Sequence, residues 1–268
     1  MNNVFSFSRF GKYFLYDLKN ARNNYGLSLI IIGLLPAIFC LIYAVFAGLA
    51  GGNYSGIGAF SASSLFVALI TLVLTFPAKV YGPVTDKRIG TEFLMLPAST
   101  LEKTISVVLM TCVVLPVAFC LIFFSCDALL SLLVPMYGNS ILTNLPGFWA
   151  TITESAGDLL AFNGLLVSYL NWCENILIFT LGAVCFKKFK AGNTILAYFL
   201  FSMAIVLIFV AIFKTISLGP EHIERIILKL DSFENPAGVF KAIIYSFYVI
   251  FLGAAIGGLY YRLKTLKH

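Results

Sequence analysis

The chain has 268 residues, 60% of them hydrophobic and only 11% charged, with a mean hydropathy of +0.96 and a net charge of +6. A soluble domain is about 45–50% apolar and about 25% charged, so this composition excludes a water-soluble globular fold and leaves an integral membrane protein. The positive balance would suggest nucleic acid in a soluble chain; in a membrane chain the placement of charges carries the information, and no nucleic-acid partner is expected.

Taken in chain order, residues 5–22 come first. Phe5, Phe10, Phe14 and Leu18 recur near helical spacing among Arg9, Lys12, Lys19 and Arg22. This pattern predicts an amphipathic interfacial helix with aromatics in the acyl boundary and cations near lipid phosphates, or a plain topology anchor. No small-residue cleavage site follows a short apolar core, so no cleavable signal peptide is expected. A spanning helix needs about 20 mostly apolar residues. Six runs qualify, at 27–49, 61–78, 105–126, 165–186, 194–213 and 242–261. Helix is the expected form of each, because open strands in lipid would leave backbone groups unpaired. The expected fold is an all-α membrane protein: one transmembrane domain, 1–268, built as a six-span bundle with an interfacial helix ahead of it.

Charge orients the bundle. Fourteen of the eighteen Lys and Arg precede the first run, lie between the second and third, or follow the fourth and sixth. The positive-inside rule then puts both termini in the cytoplasm. On the opposite side, 135–158 is a long loop, and the stretch from Pro220 to Asp231 has the composition of a short amphipathic helix. Pro36, Pro77 and Pro116 interrupt runs and are expected to kink them.

Chemistry-bearing patterns are few. The phosphate-binding G-x-x-x-x-G-K-[ST] pattern is absent. His222 and His268 are the only histidines, and no metal site or cofactor is expected. The six cysteines read as buried small hydrophobes. Glu174 lies inside the fourth run beside Asn171 and Asn175. A carboxylate at membrane depth costs about 2.5–3.5 kcal/mol on insertion scales, so Asn171, Glu174 and Asn175 are candidates for a substrate path, or else for a helix–helix hydrogen bond. Asp127 is similar but nearer a run end. Gly253 and Gly257 form a GxxxG spacing that favours close helix packing.

The connector between the second and third runs breaks the apolar pattern. Phe93, Leu94, Met95 and Leu96 form an apolar knob between charged ends, and Ser99 with Glu102 three residues on has the spacing of a capping box. Arg88, Gly90, Thr91, Pro97, Ser99, Glu102 and Lys103 together resemble the cytoplasmic connector of type-2 ATP-binding-cassette exporter permeases. About sixteen residues carry this resemblance by motif. It implies a coupling helix, with Arg88, Gly90, Thr91, Phe93, Leu94, Pro97, Ser99, Glu102 and Lys103 engaging a cytosolic ATPase that holds the ATP and Mg. It also implies a second permease subunit, a location in a prokaryotic inner membrane among its lipids, and no catalysis by this chain itself. The long 135–158 loop and the lack of a re-entrant pair after the fifth run depart from that family. Two rival readings are a non-transporting scaffold or accessory subunit, and an intramembrane lipid-modifying enzyme using Glu174.

Overall fold

The computed structural model describes residues 5–51, 56–86, 90–91, 93, 95–141, 143, 164–215 and 236–266. Among these the chain is all-helical, without strands. Its elements are α1 (Phe7–Gly33), α2 (Leu35–Leu49), α3 (Ile57–Val80), a 3₁₀ turn (Gly82–Thr85), α4 (Thr100–Leu109), a π turn (Met110–Val114), α5 (Leu115–Leu133), a 3₁₀ turn (Pro135–Tyr137), α6 (Gly164–Cys185), α7 (Lys190–Thr215) and α8 (Pro236–Thr265). Five stretches among the described residues are long and apolar enough to cross a membrane: Phe7–Leu49, Ser63–Thr85, Thr100–Leu133, Lys190–Ile208 and Ile244–Thr265. This is a multi-pass membrane architecture. The fourth expected run is present as the 22-residue helix α6 and is not among these five.

The boundary expected between the interfacial helix and the first span is not where the chain breaks. One helix runs from Phe7 to Gly33, since nothing between Arg22 and Leu27 stops it; a lone Gly26 is tolerated. The break falls at Leu34, just ahead of Pro36, whose ring and missing N–H end the α1 ladder. Tyr13, Asp17, Ala21 and Tyr25, four residues apart, form the buried face of α1. This face packs on the bundle, while Phe5, Phe10 and Phe14 stack on one another. Pro77 sits inside α3 without ending it.

The core joins α1, α3, α4, α5, α6 and α8 through Tyr25, Leu72, Phe76, Val107, Phe119, Phe123, Ile176 and Leu259. Gly33 lets α1 lie against Ile122 of α5, where any Cβ would collide with that side chain. α7 is peripheral, with nearly all of its side chains from Ile195 to Val206 exposed. At the end remote from the elbow, Asp127 is fully buried. It accepts from the Tyr137 hydroxyl at 2.6 Å and from the Ile141 N–H at 2.6 Å. Its role is therefore to fold the 135–141 segment back onto α5. The stretches 144–163 and 216–235, His222 among them, lie outside the described residues.

Candidate functional site

The connector folds as a braced elbow. The 3₁₀ turn after α3 hands the chain to a helical stretch through Gly90, Thr91, Phe93 and Met95, and a bend at 96–97 leads to α4. Ser99 is the N-cap of α4, with extended backbone. Its Oγ accepts from the Glu102 N–H at 3.3 Å, and Glu102 Oε2 accepts from the Ser99 N–H at 2.7 Å. The capping box read in the sequence is thus formed.

Glu102 does more than cap. It is fully buried, and Arg9 grips it from α1: Nε donates at 2.8 Å to Oε2 and Nη2 donates at 2.7 Å to Oε1. The Ser6 N–H adds a bond to Oε1 at 2.9 Å. One carboxylate therefore joins the start of α1 to the start of α4, through the two-pronged geometry that suits guanidinium and carboxylate. Lys103 is also buried; its Nζ donates to the Phe93 carbonyl at 2.7 Å and sits 4.6 Å from the Phe93 ring centre. The elbow helix is closed by that cation at its carbonyl end.

A second brace lies a few turns deeper. Asp17 of α1 is buried and accepts from Ser106 Oγ of α4 at 2.7 Å and from the Tyr81 hydroxyl at 3.2 Å. The sequence reading missed Asp17. The signal was available: an acid in register with Tyr13, Ala21 and Tyr25, among four cations. A third brace is Lys190 of α7, whose Nζ donates to the Gly82 carbonyl at 2.5 Å and pairs with Asp86 at 3.5 Å.

The tip of the elbow stands out from the bundle. Met95 is 80% exposed, and Thr91 and Pro97 are exposed beside it. At the same end, Phe189 in the α6–α7 connector is 85% exposed and holds a φ of 46°, an uncommon backbone state for an aromatic residue. Among the elbow residues singled out from the sequence, Gly90, Glu102 and Lys103 face inward, Phe93 and Ser99 are half-buried, and Thr91 and Pro97 face outward. Arg88 and Leu94 lie outside the described residues.

The intramembrane candidates separate. The Asn175 amide donates to the Asn171 carbonyl at 2.8 Å and to Asn171 Oδ1 at 2.7 Å, so these two satisfy each other. Glu174 lines a groove between α6 and α8 together with Ile244, Phe247, Tyr248 and Phe251. The expected kink at Pro116 is a π turn whose freed carbonyls are taken by α6: the Tyr169 hydroxyl donates to Cys112 O at 3.0 Å and Trp172 Nε1 donates to Thr111 O at 3.3 Å. A Cβ added at Gly253 or Gly257 would meet nothing within 4 Å, whereas one added at Gly258 would meet Leu181. All six cysteines are free. Cys40, Cys112 and Cys173 are buried, whereas Cys120 and Cys185 are exposed on the bundle surface, contrary to the expectation from sequence. Among the described residues no group of three His, Cys, Asp or Glu is placed to hold a metal ion.

Comparison with known protein families, with curated proteins and with solved structures finds no match for this chain.

Proposed function

We propose that the chain is the membrane-spanning permease subunit of an ATP-binding-cassette exporter. In this reading it has six spans and cytoplasmic termini in a prokaryotic inner membrane, and it works beside a second permease subunit. A separate cytosolic ATPase, carrying ATP and Mg, presses on the elbow, and its nucleotide-dependent states bias the bundle between two arrangements. α6 serves as the fourth of these six spans despite its polar residues, whose cost is reduced when they pair or face the bundle.

One observation carries the proposal. The exposed Met95–Pro97 tip stands on a base that Glu102 fastens to α1, Asp17 fastens to α1 and α3, and Lys190 fastens to α7. A push on the tip therefore reaches several membrane helices at once. An elbow serving only as a link between two spans would not need a half-buried ion pair 93 residues apart in sequence.

The test places a photo-crosslinking amino acid at position 95 of the full chain in native membranes. The expected product is an adduct with an ATP-binding protein whose yield changes when ATP is replaced by ADP. A probe at Leu133, at the opposite end of α5, should give no such adduct. Adducts at position 95 that contain no ATP-binding protein would reject the exporter reading.

A further inference from the structure

Glu174 stands ten residues after Gly164 and eleven before Cys185, at the middle of α6. At about 1.5 Å per residue it is about 15 Å from either helix end, where an uncompensated charge is most costly. Among the described residues its carboxylate has no hydrogen-bond or ion-pair partner. The nearby amides do not help, because Asn171 and Asn175 bond to each other. The groove it faces has a volume of about 250 Å³ and is walled by one stripe of α8, residues 244, 247, 248 and 251, spaced i, i+3, i+4 and i+7. Three of those four are aromatic, and Phe247 is 54% exposed, so the groove is open on that side.

We propose that this groove binds a hydrophobic organic monocation, of the substituted ammonium or phosphonium class. The chemistry selects that occupant. A carboxylate without a counter-ion attracts a cation, and aromatic rings attract one too through their quadrupoles, more strongly where water is scarce. An anion would be repelled, and a neutral apolar molecule would leave the charge uncompensated. A metal ion would need several carboxylate, imidazole or thiolate ligands, and among the described residues Glu174 belongs to no group of three His, Cys, Asp or Glu. As the cargo site of an exporter this inference rests on the function proposed above; as a binding site it stands on the groove alone.

The test uses two ions of the same shape and opposite charge, tetraphenylphosphonium and tetraphenylborate. Each is titrated against the full chain in nanodiscs of zwitterionic lipid, with empty nanodiscs as the baseline for partition. The phosphonium should bind saturably and the borate should not exceed baseline. Glu174→Gln should weaken the phosphonium by at least about tenfold, and Phe247→Ala should weaken it several-fold. Unchanged affinity in Glu174→Gln, or equal saturable binding of both ions, would overturn the site. If Glu174→Gln does not yield folded protein, Phe247→Ala and Tyr248→Leu carry the same test, and unchanged affinity in both overturns it. Phosphonium binding without an ATP-dependent adduct at position 95 rejects the exporter alone. The adduct without phosphonium binding rejects the cationic cargo alone.

Discussion

Pro116 has no N–H to close a helical turn on the carbonyls behind it, and the π turn at 110–114 shifts the Leu115 N–H onto Met110 O. The carbonyls of Thr111 and Cys112 are left open in a setting without water. Tyr169 and Trp172, three residues apart on α6, supply the missing donors. The imino acid thus creates the need that another helix meets, and the two helices are fastened by it. Hydrogen bonds of this kind in membranes are worth about 0.6 kcal/mol and at most about 1.7 kcal/mol. Tyr169→Phe should therefore lower stability by about 1 kcal/mol, measured by reversible unfolding in mixed micelles. In a Pro116→Ala background the restored N–H can serve these carbonyls, and the same Tyr169→Phe change should cost distinctly less. An equal cost in both backgrounds would show that the Tyr169 hydroxyl is not answering Pro116.

Between elements, close approach depends on individual glycines such as Gly33 and Gly182 more than on the pattern that advertises it. At Gly182 a Cβ would strike the Thr194 side chain, so α6 and α7 meet there with only a hydrogen between them. Gly182→Val should destabilise the α6–α7 hairpin by about 1–3 kcal/mol, the usual cost of overpacking, whereas Gly257→Val should stay within about 0.5 kcal/mol in the isolated chain. Thermal unfolding of the two variants side by side checks this, and an equal loss in both would contradict the packing described. The contrast also shows what could be read from the sequence. Local chemistry was legible: the Ser99–Glu102 capping box, the interruption at Pro116, the break ahead of Pro36, and Glu174 as a charge out of place. Each depends on residues within a turn or two of one another. What was not legible depends on distant partners. Nothing near Glu102 announces Arg9, nothing near Glu174 announces Phe247 and Tyr248, and the GxxxG spacing is the same whether or not a helix packs on it. The α1 boundary failed for a different reason: a change from charged to apolar residues alters which solvent a helix meets, but it does not break hydrogen bonds.

Across the whole molecule, polar braces gather at the elbow end and apolar packing fills the rest. Arg9 with Glu102, Asp17 with Tyr81 and Ser106, Lys103 with Phe93, and Lys190 with Gly82 all tie α1, α3, α4 or α7 to the elbow. Arg262 Nε reaches the Val184 carbonyl at 3.3 Å and holds the end of α8 to α6. Farther along, α7 exposes nearly all of its side chains from Ile195 to Val206 and has little to hold it. This distribution predicts a stiff unit of α1, α3 and α4, with α7 free to shift against it. Spin labels at Lys12 and Leu101, both exposed, should give a narrow distance distribution, and labels at Leu101 and Leu200 a broader one. Asp17→Ala removes the acceptor shared by Tyr81 and Ser106, leaving two buried hydroxyls without that partner, a loss that is costly away from water. That change should broaden the Lys12–Leu101 distribution and leave the Leu101–Leu200 one as it was. If Lys12–Leu101 stays narrow, the apolar face of Tyr13, Ala21 and Tyr25 alone seats α1, and a push on the elbow would reach α1 through Glu102 without help from Asp17.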